Sequence, residues 1–240
     1  MTLSGKVALI TGGSRGIGLA TARLLRRQGA SVAVVGTSQA NLRAAVDTLT
    51  SESGAGRVES LTADVRDFGQ MEAAMARAST ALGGIDIVVN NAGVGVFKPV
   101  AEMSVDEWTL MFETNVTGIF NTSRAALPYL RARGGGWVIN VSSLSGTNPF
   151  AGGAAYCATK AAVNAFSEAF MQEVRHDGVR VAYVAPGSVD TTFGGGARDK
   201  SSWALRPEDV AQVIGDLVGY PGRSLPSRVE IRPSQPPRKG

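Results

Sequence analysis

The stretch Val7-Ala8-Leu9-Ile10-Thr11-Gly12-Gly13-Ser14-Arg15-Gly16-Ile17-Gly18 indicates how this chain folds. Its first four residues form an apolar, buried-strand pattern, and a helical pattern begins near Ile17. Missing side chains at Gly12, Gly16 and Gly18 let the backbone approach a pyrophosphate, and a helix N-terminus supplies free N–H groups and a positive dipole. An ordinary strand-to-helix turn also uses glycine. The strand before and the helix after favour a dinucleotide-binding turn.

The alternation of short apolar runs with longer helical segments continues along the chain. Near-continuous β-branched runs are typical of strands in a parallel sheet covered on both faces. Predicted strands lie at 7–10, 32–35, 58–61, 85–89, 137–141 and 179–184. Predicted helices, with apolar residues three or four apart, lie at 19–28, 41–51, 71–82, 106–131, 154–175 and 207–217. The sequence therefore predicts the α/β class, a doubly wound parallel β-sheet with helices on both faces.

The domain organisation follows from the absence of a break in composition. Residues 1–240 are predicted to form a single domain, with a last strand at 228–232. The prolines at 233, 236 and 237 exclude regular structure, so residues 233–240 are predicted to be a loose C-terminal arm.

Composition excludes several classes of protein. With 44 % hydrophobic and 18 % charged residues, the chain is not disordered. A net charge of +4 with no run of basic residues argues against a nucleic-acid partner. One cysteine and one histidine exclude an internal disulfide and an ordinary metal cluster, so no metal is expected. No apolar stretch of about 18 residues predicts a membrane span, and the N-terminus lacks a leader pattern, so a cytoplasmic location is expected.

The corner that would read the cofactor ribose lies after the second predicted strand. A carboxylate that binds a free 2′-hydroxyl is expected there, but the residues are Gly36, Thr37 and Ser38. Arg15 in the glycine turn is a cation that would bind a 2′-phosphate, with help from the hydroxyls of Thr37 and Ser38. The sequence therefore favours NADP(H) over NAD(H).

Polar motifs follow the later strands, at the edge of the sheet where ligands bind. They are Asn90-Asn91-Ala92-Gly93, Ser142-Ser143, Tyr156-Cys157-Ala158-Thr159-Lys160 and Pro186-Gly187. Tyr156 and Lys160 are four residues apart, so they share one face of a helix. An adjacent ammonium is expected to lower the pKa of the phenol and make it a general acid or base.

Taken together, these motifs resemble the short-chain dehydrogenase/reductase family in its compact single-domain branch, including members similar to 3-oxoacyl-(acyl carrier protein) reductases. The resemblance runs from Lys6 to about Thr191, with every motif in family order, and Ser143 precedes Tyr156 by 13 positions. It implies a Rossmann-type fold. It also implies that Tyr156 is the general acid or base, that Ser143 stabilises charge on the substrate oxygen, and that Lys160 binds the ribose and lowers the pKa of Tyr156. Asn115 would hold a proton-relay water, whereas without the resemblance a helix asparagine that bonds its own backbone is the better interpretation.

The resemblance also assigns the cofactor-binding residues, and a segment that begins at Asn90 is expected to line the adenosine and its ribose. The implied set is Gly12, Ser14, Arg15, Gly16, Ile17, Gly18, Thr37, Ser38, Asp64, Val65, Asn91, Ala92, Gly93, Tyr156, Lys160, Pro186, Gly187, Val189 and Thr191. Two of these have an alternative role, because Asp64 also suits a strand-end cap and Arg15 an ordinary surface position.

Substrate and assembly are less constrained. The expected activity is NADP(H)-dependent hydride transfer between nicotinamide and a carbonyl or secondary alcohol, with 3-oxoacyl thioesters and small ketones both compatible. The alternatives are a non-catalytic, redox-sensing regulator and a nucleotide-sugar isomerase. The candidate pocket walls are Val94, Val96, Leu144, Phe150, Phe193 and Trp203, and the short segment between Pro186 and Pro207 is expected to leave the pocket open. Apolar stripes on the helices containing Trp108 and Phe166 predict at least a homodimer, whereas the altered C-terminal strand puts a homotetramer in doubt.

Overall fold

The computed structural model of the chain describes residues 2–195 and 202–236. The strands are β1 (Val7–Thr11), β2 (Ser31–Gly36), β3 (Val58–Thr62), β4 (Ile87–Asn90), β5 (Gly136–Val141), β6 (Val179–Pro186) and β7 (Arg228–Ile231). Within the described residues they form one parallel sheet in the order β3-β2-β1-β4-β5-β6-β7. Every predicted strand is present, with ends shifted by one or two residues.

Helices connect the strands and cover both faces of the sheet. They are α1 (Gly16–Arg27), α2 (Gln39–Ser51), α3 (Phe68–Leu82), α4 (Val105–Phe112), α5 (Gly118–Ala132), α6 (Ala154–Val174) and α7 (Pro207–Val218), with a π-helical segment at Glu113–Thr117 and short 3-10 turns at Val100–Glu102, Leu144–Gly146, Arg175–Asp177 and Phe193–Gly195. This architecture confirms the predicted fold class.

The strands are apolar at consecutive positions because both faces of the sheet are covered. In β1, Ile10 points into the core beneath α1, α2 and α7, whereas Leu9 points into the core beneath α3, α5 and α6. Both side chains have no exposed surface. Burying each one stabilises the fold by about 1.5–3 kcal/mol. The uninterrupted apolar runs in the sequence are therefore the signature of two cores that share one sheet.

The prediction of one α-helix over 106–131 is wrong in its middle. The helical path runs from Val105 to Ala132, but the π-helical turn interrupts it, and the N–H of Gly118 bonds to the carbonyl of Glu113. A π turn inserts an extra residue without ending the helix, so hydrophobic spacing alone does not reveal it. The consequence is local, because Asn115 lies inside this turn.

The order of the strands fixes where a ligand can bind. From β1 the chain moves outward to β2 and β3, and it then returns to the other side of β1 as β4. The loops after β1 and β4 therefore diverge and leave a crevice at the carboxyl edge of the sheet, where open α/β sheets bind ligands. Among the described helices, none is both long and apolar enough to cross a membrane.

Candidate active site

A cleft of ≈ 1600 Å³ runs along the carboxyl edge of the sheet. It is lined by residues from the turn after β1 and from the loops after β2, β3, β4, β5 and β6, together with the first turns of α6. Nearly all of the residues that the sequence assigns to cofactor binding line it: Gly12, Ser14, Arg15, Gly16, Ile17, Thr37, Ser38, Asp64, Val65, Asn91, Ala92, Gly93, Tyr156, Lys160, Pro186, Gly187, Val189 and Thr191.

Glycine occurs at different positions of the first turn for different structural reasons. A Cβ atom at Gly12 would lie 2.9 Å from the Cα of Ala92 and 2.9 Å from the Nδ2 of Asn91, and one at Gly18 would overlap the carbonyl of Gly12. Gly16 instead faces open space, because the nearest atom to its Cβ position is the Cγ2 of Thr191 at 3.5 Å. Gly18 does not line the cleft and is explained by close packing of the turn, so its contact with a cofactor stays a prediction.

Thr11 and Asn91 tie the glycine turn to the loop after β4. The Asn91 Nδ2 donates hydrogen bonds to the carbonyls of Thr11 and Gly12, both at 3.0 Å. The Thr11 hydroxyl accepts bonds from the N–H groups of Asn91 and Ala92, both at 3.1 Å. Asn90, by contrast, is buried below the cleft and donates to Ser123 and Asn140, so the expectation that it lines the adenosine is wrong.

The corner after β2 is open and carries no carboxylate. Gly36, Thr37 and Ser38 line it together with Arg15, and the Ser38 hydroxyl caps α2 by accepting the N–H of Asn41. A Cβ at Gly36 would make only ordinary contacts, 3.6 Å from the Cδ2 of Leu42 and 3.8 Å from the Oγ of Ser14. A larger residue at position 36 would therefore fit without displacing the side chains that set the size and charge of this corner.

Asp64, after β3, is held by its neighbour. Its carboxylate accepts bonds from the Arg66 guanidinium at 2.6 and 2.9 Å and from the Arg66 N–H at 3.0 Å. These hydrogen bonds hold the pKa of the Asp64 carboxyl below its usual value. The ion pair neutralises Asp64 where it lines the cleft, and it brings in Arg66, a lining residue that the sequence did not indicate.

Tyr156 and Lys160 lie on one face of α6, with the lysine beneath the tyrosine. Lys160 is 5 % exposed, and its Nζ donates to the carbonyl of Val141 at 2.9 Å. Burial lowers the pKa of Lys160 to about 8, and burial raises the pKa of Tyr156 to about 12, with the nearby Ser143 hydroxyl acting in the opposite direction. The predicted lowering of the phenol pKa is therefore wrong for the protein alone, because desolvation of the phenolate dominates.

The two serines after β5 have different environments. Ser142 is 3 % exposed, and its hydroxyl donates to the Oδ1 of Asn164 with the carbonyl of Lys160 3.3 Å away, so it ties β5 to α6. The Ser143 hydroxyl faces the cleft near Tyr156 and exchanges hydrogen bonds with Ser145. This arrangement favours Ser143 as the serine that meets a substrate.

Asn115 joins three parts of the site but does not reach the cleft. Its Oδ1 accepts the N–H of Val94 at 2.8 Å, and its Nδ2 donates to the carbonyl of Val94 at 2.9 Å and to the Thr159 hydroxyl at 3.1 Å. It is completely buried and does not hydrogen-bond the backbone of its own helix. The side chain therefore fixes the loop after β4 against α6.

The last wall is built by the segments after β6 and β7. Phe193 lies against the Tyr156 ring, with centroids 5.7 Å apart, so the described part of the 187–206 segment covers one side of the tyrosine. The expectation of an open pocket stays a prediction. Pro233, which the sequence places in the loose arm, occupies the space beside Gly187 and Leu144: a Cβ at Gly187 would lie 3.0 Å from the Cδ of Pro233. Residues 196–201 and 237–240, which belong to the predicted loop and arm, lie outside the described residues.

Five of the six predicted pocket walls line the cleft, namely Val94, Leu144, Phe150, Phe193 and Trp203. Val96 instead packs with Met111, Ala155 and Tyr156 in a small core. Phe97, Pro233 and Pro236 also line the cleft, and no sequence motif indicates them. Val94 and Phe97 line the cleft whereas Val96 does not, so the alternating faces of an extended segment do not predict the position of Phe97. The proline-rich arm carries no periodicity that places it.

Comparisons with known proteins agree with this geometry. The model of a family described as short chain dehydrogenase matches residues 6–202. An uncharacterized oxidoreductase of Staphylococcus aureus (strain USA300) is 32 % identical over 231 residues, which cover 96 % of this chain and 98 % of that protein.

Two solved structures are also similar over nearly their whole length. An alcohol dehydrogenase from the archaeon Thermococcus sibiricus, complexed with 5-hydroxy-NADP, superposes with a TM-score of 0.89 at 33 % identity and covers 98 % of this chain and 99 % of its own. A metagenomic short-chain oxidoreductase in complex with NADP superposes with a TM-score of 0.85 at 36 % identity and covers 98 % of this chain and 100 % of its own.

Proposed function

This chain belongs to the short-chain dehydrogenase family of oxidoreductases, and we propose that it is an NADP(H)-dependent enzyme that interconverts a carbonyl group and a secondary alcohol. One observation carries the proposal: the Tyr156 phenol, the Ser143 hydroxyl and the buried Lys160 ammonium meet in the same cleft as the glycine turn. A protein that only binds a nucleotide has no need of a buried phenol and ammonium side by side.

The cleft fits a phosphorylated dinucleotide. Gly16 leaves open space at the N-terminus of α1, where free N–H groups and the helix dipole favour a pyrophosphate. Arg15, Thr37 and Ser38 would hold the 2′-phosphate, since the corner has a cation and hydroxyls but no carboxylate. The two similar structures contain NADP or its 5-hydroxy derivative, which supports the same choice of cofactor here.

The other end of the cleft would hold the nicotinamide. Pro186, Gly187, Val189 and Thr191 line it, and this segment is braced because Val189 lies in a bridge with Leu205. Lys160 would bind the nicotinamide ribose hydroxyls, because its buried Nζ has one described acceptor, the Val141 carbonyl, and an ammonium has three donors. When bound, the reduced nicotinamide supplies the hydride that forms the new C–H bond and is itself oxidised.

The chain's own residues handle the oxygen and its proton. Ser143 donates a hydrogen bond to the substrate carbonyl oxygen and stabilises the negative charge that develops there. Tyr156 gives its phenolic proton to the same oxygen, so that the carbonyl becomes an alcohol, and it takes that proton back in the reverse reaction. Lys160 stabilises the phenolate that remains, since a nearby ammonium favours the charged form of the phenol.

Asn115 acts as a positioning residue in this scheme. Its side-chain oxygen and nitrogen bond Val94 and Thr159, so they hold the loop that contains Gly93 and the turn of α6 between Tyr156 and Lys160. The relay water that the family resemblance implies would therefore be held by the Asn115 backbone. The role of Asn115 in holding a water stays a prediction, and it agrees with the frequent occurrence of π turns at functional sites.

The experiment that tests the proposal follows NADPH absorbance with the purified protein and a panel of ketones and 3-oxoacyl thioesters, and repeats the panel with NADH. We expect NADPH to be oxidised with at least one class of carbonyl compound and NADH to be oxidised more slowly. Tight NADPH binding without turnover across the panel, and without the reverse reaction from secondary alcohols, would overturn the proposal in favour of a nucleotide-sensing regulator.

A further inference from the structure

Four aromatic rings form a continuous chain at the substrate end of the cleft. In order they are Phe150, Phe97, Tyr156 and Phe193, with centroids 5.9, 5.3 and 5.7 Å apart. The three phenylalanines come from the loops after β5, β4 and β6, respectively. These distances lie in the range where aromatic pairs attract one another, and the Phe97–Tyr156 pair meets edge to face at 72°. We call these four residues the aromatic wall.

Each phenylalanine ring of the aromatic wall packs against a glycine. A Cβ at Gly194 would lie 2.5 Å from the Cε2 of Phe97, and one at Gly95 would lie 2.7 Å from the Cε1 of Phe193. The loops after β4 and β6 therefore pack against one another, since each contributes a phenylalanine ring that lies on a glycine of the other. Phe150 rests in the same way on Gly153, where a Cβ would lie 2.5 Å from its Cζ. A larger residue at any of the three glycines would push its ring out of place.

The wall leaves apolar surface uncovered beside the reacting groups. Phe97, Phe150 and Phe193 are 42 %, 47 % and 39 % exposed, whereas Tyr156 is 9 % exposed. All four line the cleft that contains the Ser143 hydroxyl. Burying exposed apolar surface is favourable by about 25 cal/mol per Å², so a ligand that covers these rings gains affinity from them.

The polar and apolar groups of the cleft would bind different parts of a carbonyl compound. The Ser143 hydroxyl and the Tyr156 phenol are the hydrogen-bonding groups for the oxygen, so the substituent of the carbonyl carbon meets the remainder of the aromatic wall. Lys98, the charged residue next to Phe97 in sequence, forms an ion pair with Glu107, and Asp190, three residues before Phe193, lines the same cleft. The wall therefore offers ring faces and edges to the substituent.

Resting on the proposed function, we propose that the substrate is an aryl ketone, or the corresponding aryl carbinol, whose aromatic ring lies against Phe97, Phe150 and Phe193. In the reductive direction the carbonyl carbon gains the hydride, the oxygen gains the Tyr156 proton and the cofactor is oxidised. Flat rings stack in offset or edge-to-face geometry on such a surface, which a puckered aliphatic ring or a flexible acyl chain does not reproduce.

The test compares two methyl ketones with the same number of carbon atoms, acetophenone and cyclohexyl methyl ketone. Their intrinsic reactivities differ, so the measured quantity is the kcat/KM of acetophenone divided by the kcat/KM of cyclohexyl methyl ketone. This ratio in each variant is compared with the same ratio in the wild type. Phe97→Leu and Phe150→Leu are expected to lower this ratio about two- to tenfold each, the value of one aromatic pair. Tyr220→Leu, at an equally exposed aromatic residue that follows α7 and does not line the cleft, is the matched control and is expected to leave the ratio unchanged.

A second readout does not depend on turnover. Calorimetric titration of 1-phenylethanol and 1-cyclohexylethanol into the protein saturated with NADPH, which cannot accept a hydride from an alcohol, is expected to give tighter binding of the aryl alcohol, and Phe97→Leu is expected to remove most of the difference. Unchanged ratios and equal alcohol affinities in all variants would overturn the inference while leaving a functional carbonyl reductase. Faster reduction of a 3-oxoacyl thioester than of acetophenone, with no response to the phenylalanine variants, would also overturn it. No reduction of any carbonyl compound would instead overturn the proposed function.

Discussion

The Nζ atom of Lys160 lies 5.7 Å from the centroid of the Tyr156 ring and donates its hydrogen bond to the carbonyl of Val141. In the protein alone, the buried phenol therefore keeps its proton, because burial raises the pKa of Tyr156 to about 12 and lowers the pKa of Lys160 to about 8. A neutral phenol that is poised to give up a proton is the form needed to reduce a carbonyl group. Binding of further acceptors to the lysine would keep its charge and bring the phenol pKa down.

The first prediction concerns the phenol. Tyr156→Phe is expected to abolish nearly all turnover, because the phenol is the group that would deliver the proton to the substrate oxygen. NADPH affinity, measured by fluorescence titration, is expected to stay close to that of the wild type. Tyr183→Phe is a matched control, since Tyr183 is also buried but lies on β6 outside the cleft. A Tyr156→Phe protein with a tenth of wild-type turnover would contradict the assignment.

The second prediction separates the adjacent serines. Ser143→Ala is expected to lower kcat by about 10²–10³, the cost of one lost donor to a developing oxyanion. Ser142→Ala is expected to lower the free energy of unfolding by about 1 kcal/mol through its lost bonds to Asn164 and Lys160, with a smaller effect on kcat. Steady-state rates and urea unfolding of both variants measure the two effects. Reversed results would assign the catalytic role to Ser142.

The third prediction follows from the buried lysine. Because the pKa of Lys160 is about 8 in the folded protein and 10.5 as a free side chain, burial of the ammonium costs stability in full below pH 8. This cost is relieved as the pH rises from 8 towards 10.5, since the unfolded chain then binds more protons than the folded one. The wild type is therefore expected to gain about 2–3 kcal/mol of unfolding free energy relative to Lys160→Met between pH 7 and pH 10.

Urea unfolding of both proteins at several pH values checks this expectation. The difference between the two proteins isolates Lys160, because all other titrating groups are common to both. A difference that stays constant from pH 7 to pH 10 would mean that the lysine keeps an ordinary pKa in the fold.

The extent to which sequence predicts this molecule differs between the fold and the site. The seven strands and the glycine turn follow from local patterns. Consecutive apolar residues such as Leu9 and Ile10 are both buried, and a few neighbouring residues of sequence are enough to show that pattern. The order of Asn91, Ser143, Tyr156 and Lys160 along the chain likewise predicts that they meet at one edge of the sheet. Parallel strands bring their carboxyl ends together whatever the details of packing.

The parts that sequence missed depend on contacts between distant segments. Asn115 bonds Val94 and Thr159, which lie 21 and 44 residues away in the sequence. The direction of the Tyr156 pKa is set by burial that sums over several loops, whereas the sequence shows only the neighbouring lysine. Phe97 and Pro233 line the cleft through tertiary contacts with Gly194 and Gly187, and no local pattern encodes them.

The fourth prediction concerns the choice of cofactor. Gly36→Asp is expected to shift the preference from NADPH towards NADH, because a carboxylate there repels a 2′-phosphate and accepts bonds from a 2′-hydroxyl. The backbone of Gly36 is not in the left-handed region, and a side chain there has room beside Leu42. Gly36→Ala is the matched control, since it adds bulk without charge.

Arg15→Ala is expected to weaken NADPH binding by about 1.5–3 kcal/mol and to leave NADH binding nearly unchanged, as for the loss of one charged hydrogen bond. Side-by-side kinetics and titrations with the two cofactors measure both effects. A wild-type protein that already prefers NADH would show that the absence of a carboxylate at this corner does not determine the choice.

The fifth prediction concerns assembly through α4, α5 and α6. Part of the apolar stripe that the sequence predicts on α6 is used within the chain, because Val163, Phe170 and Val174 are buried. On α4 and α5, Trp108 and Phe120 remain 43 % and 45 % exposed, and Trp108 stacks on Phe112 with centroids 4.6 Å apart. Large aromatic side chains left in water beside one another are typical of an interface between subunits.

We therefore expect at least a homodimer that buries Trp108 and Phe120, since two copies of such a patch can cover one another across a two-fold axis. Light scattering after size-exclusion chromatography at micromolar concentration is expected to give a mass of two or four times 24.8 kDa. Phe120→Glu is expected to shift that mass towards one chain, because it places a charge in the contact, whereas Tyr220→Glu, a similarly exposed aromatic residue beyond α7, is not. A wild-type mass near that of one chain would refute the prediction. A tetramer would show that the charged strand β7 does not prevent the second contact.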